Sequence, residues 1–123
     1  MESLPERDLE FLNEKGYRYA LIPYPGGLYL IIAGFPMTEA YQPEQADMLI
    51  MVPVGYPNTP LDMFWTRPDV MRADGGWPQA SLHKEQHNGQ VWQRWSRHTE
   101  WRAGIDNLRT FIAAVHKELS LGR

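Results

Sequence analysis

The chain has 123 residues, no cysteine, a formal net charge of −3 and a pI near 5.8. That length buries a core without disulfides or a structural metal, and the acidic balance excludes a global basic field for nucleic acid or anionic membranes. Without thiols there is no disulfide framework, no cysteine zinc site and no thiolate nucleophile.

Ser3-Leu4-Pro5-Glu6 has the S-x-x-E form of a capping box with a proline in the first turn. It predicts a helix starting there, with Leu4, Leu9, Phe11 and Leu12 on one broad apolar face and Gly16 as its left-handed stop. The acidic stretch Met1 to Glu6 lacks the basic and apolar parts of a signal peptide, and no apolar run reaches membrane-spanning length. A cytoplasmic protein is the expectation. Tyr17 to Pro23 and Leu28 to Phe35 read as an antiparallel hairpin turning through Pro25-Gly26-Gly27. After a polar stretch from Pro36 to Ala46, the nearly continuous apolar run Asp47 to Val54 predicts a third strand covered on both faces.

Gly55-Tyr56-Pro57-Asn58-Thr59-Pro60 breaks that strand, and Met63-Phe64-Trp65 reads as a short fourth. From Thr66 to about Gly89 neither period is visible, and Pro68, Gly75, Gly76, Pro78 and Asn88-Gly89 punctuate what reads as a long loop. Ile105, Leu108, Phe111, Ile112, Val115 and Leu119 then recur at helical spacing. Asp106 falls in the first turn, Lys117 in the last and Gly122 beyond, which predicts a closing helix.

Three of the five tryptophans lie between Trp92 and Trp101, among Arg94, Ser96, Arg97 and His98. Trp92 and Trp95, at i, i+3, would share one face of a short helix, so core packing is the first reading for at least two of the three. A binding reading makes Arg94, Trp95 and Arg97 a partly exposed anchor, because Trp and Arg dominate interface hot spots. A nucleophile reading takes Ser96 as an acyl acceptor, His98 as its base, and Arg94 and Arg97 as donors to an oxyanion or carboxylate. Its plainer alternative is a hydroxyl bonded to backbone. A metal reading takes His83 and His87, spaced for one helical face, with His98 or Glu85 to complete a site. Solvated loop histidines are the plainer alternative there, and His116 reads as a surface residue near the C-terminal end of the last helix.

The order of helix, meandering strands, proline junction, long irregular stretch and closing helix resembles the ubiquitin-conjugating (UBC) superfamily. Tyr56-Pro57-Asn58-Thr59-Pro60 matches that family's Tyr-Pro-x-x-Pro-Pro, with Leu61 in place of the last proline. Gly89-Gln90-Val91 and Trp101 occupy the places of its Gly-x-hydrophobic-Cys segment and the tryptophan that follows. The cysteine slot falls on Trp92, and the His-Pro-Asn triplet is missing, with only His83 and Lys84 nearby. Among relatives the chain is similar to the short prokaryotic UBC-like proteins called family E, encoded beside ubiquitin-like proteins, activating enzymes and JAB-type isopeptidases.

The resemblance implies a single α+β UBC-like domain over 1–123. It would comprise an N-terminal helix, an antiparallel meander of about four strands, a long active-site-equivalent loop over 66–91 and a C-terminal core helix. It also implies a component of a bacterial ubiquitin-like conjugation or processing pathway, often with a defence role. Such a component engages a ubiquitin-like protein and its activating enzyme, here without a thioester, and a JAB-type isopeptidase is a further expected partner. Tyr56, Pro57 and Trp92 then join Arg94, Trp95 and Arg97 as expected binding residues. The alternative is an active carrier forming an oxyester on Ser96 assisted by His98. A third reading is that a cysteine has been replaced at one of the small residues Ala73, Ala80 or Ser81. No cofactor, nucleic acid or membrane is expected.

Overall fold

A computed structural model describes residues 2–123; Met1, at the head of the acidic stretch, lies outside them. Helix α1 (Glu6–Glu14) starts later than the serine motif predicts, with Pro5 as N-cap and no side-chain cap. Glu6 therefore stands in the first helical position rather than the third, and Ser3 cannot reach the orphan amides. Gly16 does terminate the helix: its φ is +70°, and the Tyr17 amide donates back to the Leu12 carbonyl at 3.1 Å.

Strands β1 (Arg18–Tyr24) and β2 (Gly27–Pro36) form the expected hairpin, with Tyr24 paired to Gly27 around Pro25-Gly26. Gly27 is dictated by its neighbour. Its φ is +144°, and a Cβ there would sit 2.0 Å from the Val52 carbonyl oxygen of the adjacent strand. Gly27→Ala is therefore expected to lower the unfolding free energy by about 2 kcal/mol or more; a urea denaturation midpoint unchanged from wild type would refute this.

A two-residue strand, β3 (Tyr41–Gln42), precedes β4 (Gln45–Pro53), the predicted doubly covered strand. Met48, Ile50 and Val52 of β4 point into the main core, while Leu49 is buried on the opposite face against Trp65 and Trp92. After the proline junction come β5 (Phe64–Arg67), β6 (Met71–Arg72), β7 (Lys84–His87), β8 (Gln90–Trp95) and α2 (Leu108–Ser120). The main sheet runs β1-β2-β4-β5-β8-β7, and β3 pairs with β6. Every pairing is antiparallel.

The α+β class holds, but the main sheet has six strands rather than four, because β7, within the region read as one long loop, and β8, at its end, add to it, while β6 of that region pairs with β3 in a separate two-stranded sheet. Asn88-Gly89, with φ of +52° and +75°, makes the two-residue turn of the β7–β8 hairpin, and β8 docks against β5. Helix α2 also starts later than its apolar period predicts. Asn107 caps it reciprocally with Thr110, leaving Ile105 exposed outside the helix and Asp106 bound to Arg102 rather than to the first turn. Both helices bury Phe11, Leu12, Leu108, Phe111, Ile112, Val115 and Leu119 against one face of the sheet. Among the described residues no helix is long and apolar enough to cross a membrane.

Candidate functional site

Strand β8 carries much of the tryptophan-rich segment, and strand geometry sorts it differently from the helix expected there. Residues three apart on a strand point to opposite faces. Trp95 (0% exposed) enters the main core, stacked on Phe64, whereas Trp92 (1% exposed) packs on the outer face with Leu49 and Trp65. The two rings share no face, and Trp95 is not a surface anchor. Between them Gln93 is wholly buried, with both polar atoms bonded: its Oε1 accepts from Thr66 Oγ1 (3.0 Å) and the Val70 amide (2.7 Å), and its Nε2 donates to the Val70 carbonyl (2.9 Å). Trp95 Nε1 donates to Thr66 Oγ1 at 2.9 Å and closes the network, which fixes the chain leaving β5.

On the outer face Glu85 of β7, opposite Trp92, is a hub. Its carboxylate accepts from Trp65 Nε1 (2.8 Å), His87 Nε2 (2.9 Å) and Arg94 Nη1 (2.8 Å), and His83 Nε2 lies 3.4 Å away. Burial raises its pKa, but the bonds from His87 and Trp65 and the Arg94 charge outweigh that and hold the carboxyl below its ordinary value. The pair His83 and His87, expected on one helical face, lies along strand β7 instead, His83 just before it and His87 at its end. His83 and His87 flank Glu85 along an extended chain, His98 belongs to another cluster, and no group of three or more His, Asp or Glu among the described residues is arranged to hold a metal ion.

Beyond β8 the chain turns, the Arg97 amide donating back to the Trp95 carbonyl at 2.9 Å. Arg94 Nε donates to Ser96 Oγ at 2.9 Å, as residues two apart on one face can, and the Ser96 amide donates to the Ala80 carbonyl. His98, exposed, donates from Nδ1 to Asp62 at 2.8 Å and 3.1 Å. Among the described residues no hydrogen bond joins Ser96 to His98. The serine thus shares its oxygen with a guanidinium already neutralised by Glu85, and the imidazole is turned toward Asp62. Arg97 faces inward: only 8% exposed, it donates to the Gln79 and Arg123 carbonyls and lies 4.8 Å above the Trp95 ring. Its guanidinium ties the loop to the end of α2, and one nitrogen, Nη1, is buried without a hydrogen-bond partner.

The proline junction is a second constellation. Tyr56 (6% exposed) donates to Asp8 Oδ2 of α1 at 2.6 Å and accepts from the Leu108 amide, the first of α2, at 2.7 Å. Pro57 offers its carbonyl to Trp101 Nε1 at 3.0 Å, and the Trp101 ring lies beside Tyr56. Tyr56 is thus a strut between both helices and the sheet. Asp8 carries a sequence signal, three and four residues before Phe11 and Leu12 on the helix's buried stripe; Asp62 carries none, being 36 residues from His98.

The bond from Trp101 to Pro57 joins the two motifs on which the likeness to UBC proteins rests. With helices on one sheet face and no cysteine anywhere in the sequence, the class is that of an E2-like protein without the thiol. The chain matches Prokaryotic E2 family E over residues 4–121, nearly its whole length, and belongs to that family. No curated protein and no solved structure matches it.

Proposed function

We propose that this chain is a non-thioester component of a bacterial ubiquitin-like conjugation or processing pathway. It binds a ubiquitin-like protein and its activating enzyme in the cytoplasm without carrying the modifier covalently. The observation that supports this reading is the lack of any cysteine in a chain whose family membership spans 4–121; Trp92, where the resemblance to UBC proteins puts the thiol, is 1% exposed within the sheet. Thioester exchange needs a thiolate that attacks and leaves near neutral pH, and an indole does neither. A single domain over 1–123, a role in defence and a JAB-type isopeptidase as a further partner belong to the same reading.

The oxyester alternative gains no support from the positions of Ser96 and His98, which are bonded to Arg94 and Asp62 respectively. The test is to incubate the protein with the activating enzyme, the ubiquitin-like protein and ATP, then record intact mass and size-exclusion profiles. A non-covalent complex with no mass adduct is expected. A hydroxylamine-sensitive adduct that disappears in Ser96→Ala would overturn the proposal in favour of a serine carrier.

A further inference from the structure

On the helical side of the molecule, away from the tryptophan-rich strand, α1 and α2 leave between them an open cleft of about 270 Å³. Phe11 and Ile112, both buried, form its floor, and Ala113 lies on one wall. Lys15, Arg109 and His116 also line it, with Tyr17. Three basic side chains thus border an apolar floor in a chain whose net charge is −3. Electrostatic complementarity therefore selects the ligand here against the sign of the whole molecule.

The three basic side chains are not equivalent. Arg109 Cζ lies over the Phe11 ring, 4.7 Å from its centre, and the side chain is paired with Glu14 at 2.7 Å, so its charge is largely spent. His116 stacks on Phe35 and meets the Tyr17 hydroxyl at 3.3 Å, while burial and then the Lys15 charge lower its pKa. It presents a neutral polar edge at pH 7. Lys15 makes no ion pair among the described residues, and its flexible ammonium is the cation left for a ligand.

We propose that this cleft binds a small organic anion with an apolar body, a carboxylate on an aryl or short alkyl stem. Lys15 takes the carboxylate, the Tyr17–His116 pair offers a further polar contact, and the stem lies on Phe11, Ile112 and Ala113. An open cleft of about 270 Å³ has room for an aryl or short alkyl stem. Glu85, Ser96 and Tyr56 do not line it.

The probe is 3-phenylpropanoate, compared with its neutral analogue 3-phenylpropanol, each titrated into uniformly labelled protein and followed by amide chemical shifts. The acid is expected to shift Lys15, Ala113 and His116 with a low-millimolar Kd. The alcohol should bind about threefold more weakly or worse, the discrimination an exposed ion pair provides. Lys15→Gln should bring the acid down to the alcohol's affinity, and Ala113→Leu, a change that suits an exposed helix position, should fill the cleft and abolish both. Shifts confined to other surfaces, equal affinity for acid and alcohol, or unchanged binding by a folded Ala113→Leu protein would each overturn the proposal.

Discussion

Tyr56→Phe is expected to cost about 2–4 kcal/mol of stability, from the loss of one oxygen atom. That hydroxyl donates to the Asp8 carboxylate and accepts from the Leu108 amide, and Asp8 is 1% exposed. Removing it leaves a buried acceptor and a buried helix-terminal donor without partners, which costs more than the net worth of either bond. The urea midpoint should fall by about 1–2 M, given the usual slope for a chain of this size. The loss has a pH signature. Burial raises the Asp8 carboxyl above its ordinary pKa, opposed by the hydrogen bond from Tyr56 and then by the Arg7 charge. A carboxyl raised in the folded state favours folding below its unfolded pKa, about 3.9, and loses that contribution as pH rises through the folded value. Withdrawing the Tyr56 bond removes part of the opposition, so the Asp8 pKa climbs further in the variant. The deficit against wild type should be greatest near pH 7 and shrink toward pH 4. A variant within about 0.5 kcal/mol of wild type at pH 7 would show that Tyr56 is not the strut described here.

What the sequence discloses follows from how local each signal is. The first hairpin and the doubly covered β4 were legible because turn residues and apolar runs act over a few positions. The β7–β8 hairpin has an equally local signal, Asn88-Gly89, but its strands read polar: Lys84-Glu85-Gln86-His87 lacks the apolar alternation expected of a strand. Burial explains the contradiction. Glu85 and Gln93 are strand residues because their polar atoms are satisfied by Trp65, Arg94, Thr66 and Val70, partners distant in sequence. Spacing alone therefore mistook Trp92 and Trp95 for one helical face. The same non-locality hides His98 and Asp62, which meet only because β5 and β8 are neighbours. Arg97 reads as part of a partly exposed anchor because Trp and Arg dominate interface hot spots, whereas tertiary contacts with Gln79 and Trp95 draw it inward.

Replacing Trp92 by cysteine would put a thiol where the resemblance to UBC proteins places the nucleophile, and it is expected to yield an unstable protein rather than a conjugating enzyme. Trp92 fills the space between Leu49 and Trp65 and bonds the His87 carbonyl through Nε1 at 3.1 Å. Truncating a buried tryptophan costs about 3–5 kcal/mol, a large part of a domain's usual stability. In molecules that remain folded the new thiol is surrounded by apolar side chains, which raises its pKa and starves it of thiolate. Native-state alkylation with iodoacetamide should therefore proceed at Trp92→Cys only through unfolding. Ser96→Cys should react directly, because Ser96 is half-buried at the end of β8 and the substitution nearly preserves volume. With activating enzyme, modifier and ATP, folded Trp92→Cys is expected to form no reducible adduct. If it does form one, the outer sheet face around Trp92 is reachable by an activated carboxyl terminus, and the non-covalent role proposed for this chain is wrong about where its partner sits. If alkylation at 92 is slow and at 96 fast, the position where the resemblance puts the thiol is sealed within the sheet, as the 1% exposure of Trp92 requires.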